Sequence, residues 1–219
     1  GRTEKALELL DTALQKAPSP QLLLEWANTA NRCGMYEQVR DRLSAEDPAV
    51  LERQLLCVIE QNGYQLRAGM VGFQYIYNVL YAMGRGDVAY RLLSETEPGY
   101  KTWAALGEST LWECWDGENN GSHNHHMYSG VIAWFYRALL GLSPMEAAPG
   151  FERLELRPVF LGALSHAEGF IDTVRGRIAA KWVRTDAGFD YTVTVPPTVT
   201  ATFDGQRLVP GENLFHVKN

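Results

Sequence analysis

The sequence predicts an α+β fold in which stacked helix pairs precede an antiparallel β-sandwich. Two observations lead to this class. Apolar residues recur at helical spacing through about residue 145, and after Pro144 they recur at every second position. We take residues 1–145 as the helical part and 146–219 as the sandwich.

Leu7, Leu10 and Leu14 mark the first helix after Thr3. Pro18-Ser19-Pro20 ends it and opens a second, with Ser19 at the N-cap and Pro20 at the first helical position. Leu23, Trp26 and Ala30 form the face of that second helix, and Gly34 closes it. Ala13, Pro18, Trp26, Ala27, Gly34 and Tyr36 fall roughly where a tetratricopeptide hairpin places such residues, but no second copy follows at that period. One antiparallel helix pair is the simpler reading. Asp47-Pro48 repeats the start signal for a helix with Leu51, Leu55, Val58 and Ile59 on one face. From Met70 to Met83 the chain is apolar or aromatic nearly all round, which predicts a helix buried on every side. Asp87 to Leu93 reads as a short amphipathic helix and Val131 to Leu142 as an aromatic-rich one. The stretch from Glu97 to Asn124 keeps no period and reads as a long structured loop, a common seat of function.

Beyond Pro144, Leu154 and Leu156 alternate with charges, and Ile178, Ala180 and Trp182 share one strand face. Phe189, Tyr191, Val193 and Val195 alternate with Asp190, Thr192 and Thr194. Asp204-Gly205, between Val199-Ala201-Phe203 and Leu208-Val209, is a strong hairpin signal.

Composition excludes several function classes. A net charge of −6 and a pI near 5.4 argue against a nucleic-acid surface. No apolar run approaches the ~20 residues of a membrane span, and the N-terminus lacks a signal-peptide profile. Cys33, Cys57 and Cys114 are odd in number and widely spaced, so they read as reduced thiols, which favours a cytoplasmic location. The chain opens at Gly1 rather than Met, so its natural start is expected elsewhere.

Chemistry concentrates in Thr110-Leu111-Trp112-Glu113-Cys114-Trp115-Asp116-Gly117, followed by Ser122-His123-Asn124-His125-His126. A carboxylate between two tryptophans, with histidines about a dozen residues on, suits acid/base work on an uncharged polar substrate. Glycoside hydrolysis uses two carboxylates, one protonating the leaving oxygen and one activating water or attacking carbon. Only one good candidate, Glu113, is visible.

This run, together with Ala133-Trp134-Phe135-Tyr136-Arg137, resembles the α-L-rhamnosidase family of inverting glycoside hydrolases. Gly63-Tyr64-Gln65-Leu66, Asp87-Val88-Ala89-Tyr90-Arg91-Leu92-Leu93, Pro149-Gly150-Phe151 and Gly176-Arg177-Ile178 before Trp182 agree, so the resemblance spans about residues 48–219. It implies the end of an (α/α)6 barrel plus a C-terminal β-sandwich, acting on terminal α-L-rhamnose without a cofactor or metal. It places Glu113 on the general base and His125 on a pocket-lining histidine, with Trp112 and Trp115 beside them as candidates for contacting the sugar. The general acid of the family sits in an earlier acidic motif that nothing before Glu113 resembles, and the helices read here are about half of those a barrel needs. The resemblance therefore implies a fragment, inactive alone, that pairs with a missing barrel half or an oligomeric partner. Cys114 stands where the family more often has a basic or other polar residue, which bears on fine specificity.

Other readings stand beside these. Glu113 also fits a carboxylate paired within a helical core, His125 a buried imidazole bonded to backbone, and His123 and His126 solvent-facing or structural positions. A metal reading would recruit the histidines and Cys114, but their spacing matches neither an i, i+4 histidine pair nor a paired CxxC. The competing function class is a non-catalytic carbohydrate-binding or helical interaction fragment.

Overall fold

In the computed structural model, residues 2–17, 19–45, 47–68, 70–115, 121–145 and 147–218 are described. Pro18 of the first helix-break signal lies outside them. The helical period becomes α1 (Arg2–Lys16), α2 (Pro20–Arg32), α3 (Tyr36–Ser44), α4 (Pro48–Gln61), α5 (Met70–Ala82), α6 (Gly86–Glu95), α7 (Tyr100–Ala105) and α8 (Gly130–Trp134). Both expected N-caps form. The Leu22 N–H donates to Ser19 Oγ at 3.2 Å, and the Ala49 N–H to Asp47 Oδ1 at 2.9 Å. Two elements exceed the sequence reading: α3, whose polar run carries Val39 and Leu43 inward, and α7, a short helix inside the long loop.

The chain divides into two compact units, residues 1–65 and 66–219. In the first, α2 packs against α1, α3 and α4. Its core joins Leu7 and Leu14 to Leu23, Trp26, Ala27, Ala30 and Val39. Arg42 lies 4.3 Å above the Trp26 ring and bonds Asp11, clamping α3 to α1.

In the second unit α5 packs on α6 and α8, and α6 on α7. Phe73, Tyr77 and Leu80 of α5 are buried, yet Tyr75 is 54% exposed and Val79 39%. Within this chain α6 and α8 cover only part of its circumference, so a helix whose composition suits burial on every side keeps apolar and aromatic surface, as expected of a chain with about half of a barrel's helices. After α8 the helix continues as a π turn over Phe135–Leu139, where the sequence predicts plain α-helix to Leu142. Gly141, at φ 73°, then ends it.

The sandwich follows: β1 (Arg153–Leu156), β2 (His166–Thr173), β3 (Gly176–Thr185), β4 (Gly188–Val195), β5 (Thr200–Phe203), β6 (Gln206–Arg207) and β7 (Gly211–Lys218). Four strands make an antiparallel sheet in the order β2-β3-β4-β7, and three make a second in the order β1-β5-β6. Asp204 and Gly205, both at positive φ, turn the β5–β6 hairpin as expected. The pairing of β1 with β5 is parallel, the one departure from the antiparallel pattern among the described strands. Ile178, Ala180, Trp182, Tyr191, Val193 and Val195 point into a shared core with Leu154 and Leu156.

That core also takes in Leu140 and Leu142 from the end of the last helix. A helix C-terminus leaves carbonyls without partners. Here the Val159 N–H bonds the Ala138 carbonyl at 2.7 Å, Trp182 Nε1–H the Leu139 carbonyl at 2.7 Å, and the Tyr191 O–H the Leu140 carbonyl at 2.7 Å.

Burial pushes the Tyr191 hydroxyl well above its ordinary pKa of 10.0. The raised folded value means that its contribution to stability is intact below pH 10 and is lost above it, as the unfolded chain ionises first. Stability should then fall by about 1.4 kcal/mol per pH unit for each such tyrosine. Tyr191→Phe strands the Leu140 carbonyl, so urea unfolding at pH 7 should show a loss of ~1–3 kcal/mol. The variant should also lose part of the alkaline slope; an unchanged slope would contradict the assignment.

Candidate active site

The segment between α7 and α8 is organised by pairing across its own ends. His125 N–H donates to the Leu111 carbonyl at 2.7 Å, and Glu113 N–H to the Ser122 carbonyl at 2.8 Å. Thr110 Oγ1 bonds the His123 carbonyl. Residues 111–113 and 122–125 therefore lie side by side as a short ladder. Asp116 and Gly117 of the motif lie outside the described residues.

Glu113 is exposed, and its carboxylate folds back across the ladder, where the Ser122 N–H donates to Oε2 at 3.0 Å. This bond fixes the direction of the group, and among the described residues Oε1 accepts none, which leaves it open to a water. Gly121 permits the close approach, since a Cβ there would sit 3.3 Å from Glu113 Cβ and 3.2 Å from Cys114 Sγ. His125 is half-buried, and its Nδ1 accepts the Met127 N–H at 3.1 Å. An accepting Nδ1 puts the proton of the neutral ring on Nε2 and makes that edge a donor.

The tryptophans hold the ladder in place. Trp115 lies 3.8 Å from Tyr128, 4.8 Å from Trp103 and 5.0 Å from Tyr100, ring centre to ring centre. Trp103 Nε1–H donates to the Trp115 carbonyl at 3.1 Å, and the Tyr100 O–H to the Tyr128 carbonyl at 2.6 Å. Burial raises the Tyr100 pKa, which keeps that donor protonated. Both ends of the loop are thus fastened to α7. Trp112 is buried and stacks on His123 at 4.0 Å and 12°. The indole N–H groups of Trp112 and Trp115 are buried without a partner among the described residues.

Of the residues singled out in the sequence, Glu113 and His125 share the ladder, while Trp112 and Trp115 support it from the aromatic side. His123 has the structural role of a stacking partner. Beside the loop, a cavity of about 470 Å³ opens between α5 and α8, lined by Gln74, Tyr75, Asn78, His126, Met127, Ser129, Gly130, Ala133 and Arg137. The sequence reading passed over Asn78 and Tyr75. One signal was available: Gln74 and Asn78 are amides one turn apart in an otherwise apolar helix.

The family model of the bacterial alpha-L-rhamnosidase 6 hairpin glycosidase domain matches residues 28–139, and that of the bacterial alpha-L-rhamnosidase C-terminal domain matches residues 141–207. The chain belongs to the bacterial α-L-rhamnosidase family. An Alteromonas sp. (strain LOR) α-L-rhamnosidase is 32% identical over 173 residues, covering 74% of this chain and 19% of that protein. A Formosa agariphila α-L-rhamnosidase is 28% identical over 201 residues, covering 82% of this chain and 22% of that protein. The chain thus spans about a fifth of the length of these relatives. Among solved structures, an Aspergillus terreus α-L-rhamnosidase superposes with a TM-score of 0.70 at 21% identity, covering 90% of this chain and 29% of the other. A Streptomyces avermitilis α-L-rhamnosidase complexed with L-rhamnose superposes with a TM-score of 0.67 at 24% identity, covering 84% and 22%. Within the α-L-rhamnosidase match, the ladder and the α5–α8 cavity both fall in the six-hairpin range, and β1 to β6 in the C-terminal range.

Trp103→Ala should remove both the stacking partner and the hydrogen bond of Trp115. Its expected cost is ~3–5 kcal/mol of stability, as for a large buried aromatic. Amide exchange at Ser122 and His125 should accelerate with it. Unchanged protection at those two amides would show that α7 does not hold the loop.

Proposed function

We propose that the whole protein carrying this sequence hydrolyses terminal α-L-rhamnosides with inversion, and that Glu113 is its general base. The observation that carries this reading is an exposed carboxylate, oriented by the Ser122 N–H, inside the six-hairpin match. A base in such a reaction takes a proton from the attacking water as that water reaches the anomeric carbon, so it needs one oxygen fixed and one free. The Glu113 contacts suit that division. An inverting pair stands ~6.5–9.5 Å apart to admit the water. The partnering general acid belongs, in this proposal, to a part of the protein outside these residues. The 219-residue chain alone then binds sugar at most, and needs a further barrel portion or an oligomeric partner to turn it over.

His125 Nε2–H is proposed to donate to a sugar hydroxyl, and Trp115 and Trp112 to form the apolar side of the pocket. The bound L-rhamnose of the Streptomyces avermitilis relative supports rhamnose as the recognised sugar. The assignment of residues 1–145 to the barrel and 146–219 to the C-terminal sandwich is part of the same reading.

Glu113→Gln keeps the shape and the Ser122 contact but cannot accept the proton. In the whole protein, kcat on an aryl α-L-rhamnoside should fall by ~10²–10⁴-fold with unchanged circular dichroism. Near-wild-type kcat would remove Glu113 from the mechanism. His125→Ala should act mainly through KM, because a hydroxyl contact is made equally in the ground and transition states; a fall in kcat at constant KM would give the histidine a different role.

A further inference from the structure

The ladder beside Glu113 is irregular at one point. Two bonds bracket it, from Glu113 N–H to the Ser122 carbonyl and from His125 N–H to the Leu111 carbonyl. Between them one arm holds a single residue, Trp112, and the other holds two, His123 and Asn124. Two residues opposite one make a β-bulge, which bends its arm and re-aims groups next to active sites. The effect shows at the adjacent pair. In a regular antiparallel ladder, two facing residues of a hydrogen-bonded pair exchange both N–H···O bonds. Among the described residues Glu113 and Ser122 share one such bond, at 2.8 Å. The second N–H, that of Ser122, donates instead to the Glu113 side chain, 3.0 Å from Oε2. The backbone donor that orients the carboxylate is thus a ladder bond diverted beside the bulge.

An extra residue disrupts ladder pairing, so a bulge keeps its shape only where other contacts fix it. Two of these contacts are polar. Thr110 Oγ1–H donates to the His123 carbonyl, and Ser122 Oγ accepts the Asn124 N–H at 3.1 Å. The third is a ring: His123 lies flat on the Trp112 indole, 4.0 Å and 12° from it. Trp112 is 6% exposed and packs 5.8 Å from Trp103, which makes it a firm seat. His123 is itself exposed, and among the described residues its ring nitrogens make no hydrogen bond. Its side chain is therefore placed by the aromatic stack rather than by burial or polar bonding. Without that stack, residues 123 and 124 could relax into a regular ladder. The Ser122 N–H would then return to the Glu113 carbonyl and release Oε2.

We propose that His123 is a positioning residue, whose stack on Trp112 holds the bulge that aims the Ser122 N–H at Glu113. The inference rests on the general-base reading of Glu113. It is tested in the whole protein with His123→Ala, which removes the ring, and His123→Phe, which keeps a flat ring without nitrogens. On an aryl α-L-rhamnoside, His123→Ala should lower kcat about tenfold at unchanged KM and Tm, and His123→Phe should restore it. On a Glu113→Gln background His123→Ala should lower kcat no further, because its effect passes through the carboxylate. Three results overturn the proposal: unchanged kcat in His123→Ala, equal impairment in His123→Phe, or the same fold loss on both backgrounds. The second would give the ring nitrogens a direct role at the substrate. A further readout needs no turnover, namely the amide proton resonance of Ser122 in protein labelled with 15N-serine. A carboxylate is the stronger acceptor, so Glu113→Gln should move this resonance upfield. His123→Ala should move it the same way and His123→Phe should leave it in place; a resonance indifferent to His123→Ala overturns the proposal. Near-wild-type kcat in Glu113→Gln would instead refute the general-base reading, and the resonance would still decide whether His123 aims the Ser122 N–H.

Discussion

The packing of Trp115 against both Trp103 and Tyr128, closed by the Trp103 indole bond to the Trp115 carbonyl, is the contact on which the site depends. A six-residue helix such as α7 has little stability of its own and draws it from packing. By burying Trp103 and fastening both Trp115 and Tyr128, α7 becomes a post to which the loop is tied at two points. Only with those ends fixed do the bonds between residues 111–113 and 122–125 hold Glu113 in one direction. The motif tryptophans thus serve the carboxylate first through the position of its backbone.

A second constraint joins the helical part of residues 66–219 to the sandwich. The last helix ends in carbonyls that need donors, and two of those donors are the polar tips of large core side chains, Trp182 and Tyr191. Each of these residues buries a ring in the sandwich core and spends its polar atom on the helix end. Losing the sandwich would expose those carbonyls and the apolar side chains of Leu140 and Leu142 together. This is a physical reason for the two elements to fold as one unit, and the π turn just before the junction carries Arg137, which lines the α5–α8 cavity.

Much of the fold was legible because its signals are local. Ser19 and Asp47 cap the helices they announce, Asp204-Gly205 turns its hairpin, and the alternation from Ile178 to Val195 matches the buried face of β3 and β4. What escaped depends on partners distant in sequence. The parallel pairing of β1 with β5 joins residues nearly fifty positions apart, and nothing in either strand names the other. The polar helix α3 shows Val39 and Leu43 as its apolar face among the described side chains, too little for periodicity to find. Exposure of Tyr75 and Val79 follows from which neighbours surround α5, not from α5 itself. At the site, Glu113 and His125 were legible as residues. That the donor to Glu113 is the Ser122 amide, and that Asn78 and Arg137 face each other across a cavity, needed the three-dimensional arrangement.

The proposal these constraints serve is that Glu113 activates a water rather than attacking the sugar itself. The most direct measurement is the anomer released first, followed by proton NMR within seconds of mixing the whole protein with an aryl α-L-rhamnoside. The account predicts β-L-rhamnose as the initial product, with the α-anomer appearing only by later mutarotation. Initial release of α-L-rhamnose would mean retention through a covalent intermediate and would contradict the role of Glu113 as a general base.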